Sequence, residues 1–243
     1  MRNCVLVGLL LLSGIANAGP FDHKVSPQDL DGIQRMAVQV RLGDTFHASF
    51  VGTTVFNNKF FDAPVPQWGI DSFIAQYIVE DMKLRGRFPA QALDVGDLNM
   101  QDLYKKSGAI LGSREVVATL LEKAKQQGAD ALMVVEMVRP SQNFQFHQPG
   151  FGLFRKSTFG LTMGCIYSVF NTVVFRVDTA KRIAWGGDEP CLSSREKGFE
   201  QKDSWDQYTA EEKAAFEAAV KQQLSGKIAL RLEQYKLLKD TTP

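Results

Sequence analysis

The sequence predicts an α/β or α+β fold, a single mixed sheet packed by helices, with a long β-hairpin and a long C-terminal helix. Three observations carry this prediction. A capped helix, a glycine turn and an almost unbroken apolar strand follow one another between Ser113 and Val138. A run from Thr158 to Val177, rich in Thr, Val, Phe, Tyr and Ile, is followed by Asp178-Thr179-Ala180-Lys181 and then by Arg182 to Gly186. The chain closes on a segment in which Phe216, Val220, Leu224, Ile228, Leu232 and Tyr235 recur every three or four residues, preceded by Thr209 and Glu212 as a capping box.

The other elements follow in order. Ile33 to Leu42 (IQRMAVQVRL) mixes β-branched and alternating apolar residues and stops at Gly43-Asp44, as a strand does. Thr45 to Phe61 continues as one or two strands, with Asn57-Asn58 as a turn, and Ala63-Pro64-Val65-Pro66 breaks the pattern. A helix is expected from Asp71, a good N-cap, with Phe73, Ile74, Tyr77, Ile78 and Met82 as its packing face and Gly86 at its end. Phe88 to Leu93 reads as a short strand and Met100 to Lys106 as a helical turn. Ser113 caps a helix whose face is Val116, Val117, Leu120, Leu121 and Ala124, with Gly128 past its end. The strand Ala131 to Val138 is apolar enough to be buried on both faces. No internal repeat or long linker divides the chain, so residues 19–243 are read as one α/β envelope domain.

Composition excludes several classes of function. The 243 residues hold 28 Lys+Arg against 27 Asp+Glu, 44% hydrophobic residues and a formal net charge of +1. Disorder and low complexity do not fit such a chain. A near-neutral chain has no summed field to draw nucleic acid, so no nucleic-acid partner is expected and any partner is recognised locally.

Residues 1–18 read as a signal peptide. Arg2 is a short positive region, Val5 to Leu12 an apolar run and Ala16-Asn17-Ala18 a small-x-small cleavage site. The run is too short for a membrane span, which needs about 20 apolar residues, and no later stretch comes closer. Cys4 precedes the run, where a lipid-accepting cysteine could not sit, so the expected destination is the periplasm without a lipid anchor. Cys165 and Cys191 then form an even pair in an oxidising compartment, and a disulfide is the natural reading. The expected hairpin register would put Cys191 opposite Ser168, so a bend or bulge near Gly186-Gly187 has to make up the offset.

Residues 128–135 (GADALMVV) and the Val-Asp-Thr turn leading to Ile183-Ala184-Trp185 resemble the periplasmic α/β domain shared by the curli-secretion lipoprotein and the amino-terminal domain of the Tol-system propeller protein. The resemblance implies an envelope module of the same order of elements over residues 33–238. The chain departs from the pattern at Glu136, where a Gly is usual, and at Lys181-Arg182, where the turn lacks Gly. It holds no convincing pair of membrane hairpins, which need segments of about 9–11 alternating residues.

The search for chemistry is mostly negative. His23, His47 and His147 are far apart, none with a second ligand at metal-binding spacing, so no metal and no cofactor is expected. Walker, nucleophile-elbow and dinucleotide motifs are absent, and Gly150-Phe151-Gly152 is too little to cradle phosphate. One segment stands out. Arg139 to Ser157 reads as a loop longer than usual connections, carrying Phe144, Phe146, Phe151 and Phe154 with Arg155 and Lys156, which would suit an envelope protein partner, self-association, peptidoglycan or a membrane surface. The expected function is a non-catalytic envelope module for protein interaction or assembly. The alternatives are an envelope hydrolase whose site assembles in space, for which His47 or His147 must meet a Ser and a carboxylate, and a small-ligand or lipid-binding protein. Amino-terminal sequencing of fractionated protein is expected to begin at Gly19; a soluble cytoplasmic form beginning at Met1 would overturn export.

Overall fold

The computed structural model describes residues 25–98, 110–138, 147–159, 161–187, 191 and 199–239. The expected signal peptide (1–18), His23, the expected turn at 100–106, and Phe144 and Phe146 lie outside these residues. The architecture is a mixed α/β one with an eight-stranded sheet. Its elements are β1 (Met36–Arg41), β2 (Thr45–Val51), β3 (Lys59–Pro64), α1 (Ile70–Arg85), β4 (Ala90–Ala92), α2 (Arg114–Gln126), β5 (Ala131–Met137), β6 (Gly150–Thr158), β7 (Leu161–Arg176), β8 (Arg182–Gly187) and α3 (Ala210–Gln234).

Strand β7 runs through both halves of the sheet. Its first part, Leu161 to Val169, pairs antiparallel with β6, and its second part, Phe170 to Arg176, pairs antiparallel with β5. β5 and β6 therefore point the same way, end to end along β7. β1 and β2 repeat this arrangement one position out, β1 parallel to β5 and β2 parallel to β6. The outermost strands are β4, parallel to β1, and β3, antiparallel to β2, while β8 pairs with β7.

The half built on β5 is covered on both faces. Met36, Val38, Met133, Val135 and Val174 join Ile74 and Ile78 of α1 and Leu224 and Ile228 of α3 in the main core. Ala37, Leu132, Val134, Val173 and Phe175 pack on the other face with Val116, Leu120, Leu121 and Ala124 of α2. That is why β5 is apolar throughout. In the half built on β6, one face lies on aromatic residues: Phe46 packs against Trp68, Trp205 and Phe216 at centroid distances of 5.1 to 5.6 Å. The opposite face carries a smaller cluster of Cys165, Tyr167 and Val169.

Helix caps act as the sequence indicates for α2 and α3. The Ser113 hydroxyl accepts from the Val116 N–H, and Thr209 with Glu212 closes the capping box. Asp71 differs. The N-cap of α1 is Gly69, and the Asp71 carboxylate accepts from the N–H groups of Leu42, at 2.6 Å, and Gly43, at 3.2 Å. The turn from β1 to β2, where Gly43 has a φ of 83°, leaves those donors unpaired in the strand ladder, and Asp71 satisfies them. Helix α3 also buries Lys227, whose Nζ donates to the Ser168 carbonyl at 2.7 Å, and Tyr235, at its C-cap, shares a 2.7 Å hydrogen bond with the Thr172 hydroxyl. Both fix α3 on β7.

The segment expected to be one long loop is divided. From Gly150 onward it is strand β6, because its backbone pairs with β2 and β7. Gly152 is required there: a Cβ would stand 1.9 Å from the His47 carbonyl oxygen, so the parallel approach of β2 and β6 admits no side chain.

Glu136 stands on the α2 face of β5 and is 1% exposed, with its carboxylate accepting from the N–H groups of Ile110, at 2.6 Å, and Leu111, at 2.8 Å. It anchors the segment that leads into α2. Burial raises its pKa above the ordinary 4.5, opposed by those two hydrogen bonds. A carboxyl raised in the folded state binds its proton more tightly there than in the unfolded chain. Its stabilising contribution is full below 4.5 and is lost as pH rises through the folded value. Glu136→Gln keeps an acceptor and removes the titration, so its stability relative to wild type should improve from acid to neutral pH in urea unfolding. Glu136→Ala, which orphans two N–H groups, should be destabilised by about 1–3 kcal/mol or more at both.

Candidate functional site

Of the residues expected to form a recognition loop, the four that are described, Phe151, Phe154, Arg155 and Lys156, are distributed over two faces of one strand. Successive side chains of β6 alternate sides, so Phe151 and Leu153 enter the core while Phe154 and Lys156 face the other way. Phe151 is fully buried and stacks on Trp68 at 6.1 Å between ring centroids. This corrects the reading of Phe151 as an exposed contact: the even spacing of a strand, hidden in a Gly- and Gln-containing stretch, assigns it to the core. Arg155 turns to the helical side, where Nη1 donates to the Phe199 carbonyl at 2.6 Å. Phe154 is half-buried and Lys156 is exposed.

The outer face of this half can be read from the register. Phe60, Ser49, Phe154 and Cys165 form one cross-strand row and Val51, Lys156 and Met163 the next, with Leu161 beyond them at the start of β7. β2 and β6 are parallel, so the β2–β3 connection and the β6–β7 turn lie at the same end of the sheet. Phe56 sits in the first and Phe159 in the second. Phe56 is 93% exposed, Phe159 88%, Leu161 76%, Met163 55% and Phe60 53%. Five of the eight exposed large apolar side chains among the described residues thus fall at one end of the sheet. Scattered apolar residues are ordinary on a surface; their concentration at one end is not. A sequence reading had no signal for this, because exposure of Leu161 and Met163 depends on which elements, distant in sequence, cover that face of β7.

Behind this end, on the helical side, lies a pocket of about 450 Å³ lined by Phe50, Phe56, Lys59, Arg155, Thr162 and Gln201. Its two cations are engaged: Lys59 pairs with Asp203 and Arg155 with the Phe199 carbonyl.

Cys165 and Cys191 are joined by a disulfide with a Cα separation of 6.1 Å. The β7–β8 ladder pairs Asn171 with Gly187, a register one residue nearer Cys165 than the expected one, and its irregularity lies between Val174 and Phe175, not at Gly186-Gly187. His147 lies beside the bond, its ring 4.2 Å from that of Phe154 and edge-on to Tyr167 at 4.9 Å. The Gln148 N–H donates to the Tyr167 hydroxyl at 3.2 Å, and burial pushes that phenol well above its ordinary value, so it stays protonated.

The remaining histidine, His47, meets Asp62 across β2 and β3 at 2.7 Å on the outer face. No serine hydroxyl joins that pair among the hydrogen bonds of the described residues.

Neither a protein-family model nor a curated protein matches the chain. Solved structures align with it weakly. Protein XCC0632 from Xanthomonas campestris, of family DUF330, is 10% identical over 90% of this chain and 88% of its own, with a TM-score of 0.38. The LpoB C-terminal domain from Salmonella enterica is 12% identical over 65% and 84%, with a TM-score of 0.26. PelC from Paraburkholderia phytofirmans, a dodecamer, is 10% identical over 79% and 86%, with a TM-score of 0.27. At these values the likenesses transfer no role. No helix among the described residues is long and apolar enough to cross a membrane.

Phe151→Ala is expected to lower stability by about 3–5 kcal/mol, as deletion of a buried aromatic does. Phe154→Ala, on the half-exposed face, should cost clearly less in the same denaturation experiment.

Proposed function

We propose that the protein is a non-catalytic, exported envelope module that binds a protein, either another envelope component or a second copy of itself, through the open end of its sheet. The observation that carries this reading is the clustering of Phe56, Phe60, Phe159, Leu161 and Met163 at that end, with Lys156 among them. Aromatic and aliphatic anchors next to a cation are the composition of an interface centre. The leader sequence supports an envelope location. The aromatic core behind β2 and β6 supports the same reading mechanically, because it holds the strands that present these side chains.

A small ligand is the second reading, favoured by the pocket next to Phe56. Anionic ligands fit it poorly, since Lys59 and Arg155 already have partners. An apolar ligand would rest on Phe50 and Phe56.

The double variant Phe159→Ser, Leu161→Ser separates folding from binding. Both side chains are solvent-exposed, so the melting temperature should move little. Association, read as self-association by sedimentation velocity and as capture of a partner from envelope extracts, should weaken by more than about 1 kcal/mol. Unchanged behaviour in both assays would overturn the reading.

A further inference from the structure

The disulfide and the histidine beside it make a second kind of site. One donor atom from each of His147, Cys165 and Cys191 lies within 4.8 Å of the other two. Cys165 lies in the first part of β7, paired opposite Phe154 of β6. Cys191 comes from the chain beyond β8, and His147 from the approach to β6. Three separate segments thus converge on one point of the outer face. The position opposite Tyr167 is Gly152, so the strand there contributes no side chain that would fill the space over the face. Phe154 and Tyr167 wall the imidazole on two sides.

We propose that reduction of the Cys165–Cys191 bond converts this structural link into a three-ligand site for a thiophilic closed-shell cation, Zn(II) or Cu(I), with two thiolates and the His147 imidazole as ligands. Thiolates and imidazole are the donor set that such cations select, and three protein ligands leave a fourth position open to a further donor. The balance is simple. A dithiol reductant is oxidised to its own disulfide and delivers two electrons and two protons, breaking the Sγ–Sγ bond to give two thiols. The entering cation displaces both thiol protons to solvent and takes a lone pair from each sulfur and from one neutral imidazole nitrogen. Cys191 is only partly buried, which gives reductant and cation a route to the pair, while Cys165 is 2% exposed and keeps the inner ligand out of water. The oxidised protein has no thiolate and binds no such cation here, so the site is gated by redox state and is independent of the apolar end of the sheet.

The test uses the whole mature protein, reduced with dithiothreitol and desalted without oxygen. Co(II) is titrated as the spectroscopic probe, followed by displacement with Zn(II), and Cu(I) is titrated separately against a chromophoric chelator. Reduced wild type should show sulfur-to-cobalt charge-transfer absorption with visible bands of four-coordinate Co(II). The oxidised protein should show neither. His147→Gln keeps both cysteines and the packing volume, so it tests the third ligand without removing the disulfide; it should bind Zn(II) at least about ten-fold more weakly, a loss of about 1.4 kcal/mol, with altered visible bands. Cys191→Ser, which leaves one thiolate, should lower the charge-transfer absorption by at least about half. Absence of thiolate-to-metal bands in reduced wild type overturns the proposal, as do bands and affinity that His147→Gln leaves unchanged.

Discussion

The register of β7 is the constraint on which the rest of the structure depends. Its sixteen residues carry β6 along the first part and β5 along the second, and β8 pairs beside it. Because alternate side chains of a strand face opposite sides, a slip of one residue would exchange Ile166, Phe170 and Val174 in the main core with Tyr167, Val173 and Phe175 on the other face. Helix α3 fixes that register through polar contacts as well as packing. The Lys227 bond to the Ser168 carbonyl and the Tyr235 bonds to Thr172 specify positions along β7 that apolar contacts alone would leave interchangeable.

A second consequence of β7 is the unequal coverage of the two halves. The β5 half is closed between α1 and α3 on one side and α2 on the other, and the buried Glu136 of β5 is occupied in holding the entry to α2. The β6 half is closed by the aromatic residues of the helical side, while its other face carries the disulfide, His147, Phe154 and then exposed apolar residues. Residues available for recognition therefore collect in that half. The division of labour follows from where the helices end along β7, not from any local motif.

Much of the fold was legible because its signals are local. The Ser113 cap, the apolar face of α2, the double-sided burial of β5, the β7–β8 hairpin and the capping box of α3 each follow from residues within one or two turns of one another. What escaped depends on distant partners. β6 was read as part of a loop since its glycines and basic residues obscure the alternation, and its strand character comes from pairing with β2, far away in sequence. Asp71 looked like a cap because nothing near it reveals the orphan donors at Leu42 and Gly43. The His147 cluster is hidden for the same reason: its three donors are far apart along the chain and meet only in space. The exposure of Phe56 and Phe159 has no sequence signature at all, since identical residues elsewhere, such as Phe50 and Phe151, are core.

The edges of the sheet bear on how a partner would be met. An open strand edge invites pairing with another chain, and sequences blunt it with charge, proline or brevity. β3, at one end of the strand order, carries Lys59 and Asp62 and finishes on Pro64, which has no N–H to donate. β4, at the other end, has only three residues. β8 ends on two glycines, whose bare backbone packs weakly with any added strand. Backbone addition to these edges is thus opposed in three different ways, whereas among the described residues nothing comparable protects the end where Phe56, Phe159 and Leu161 project. A partner that docks there meets projecting side chains, not a strand edge, so recognition would come from apolar pockets on its own surface. Affinity in such an arrangement rests on a few aromatic anchors more than on area, and specificity on the placement of Lys156 among them.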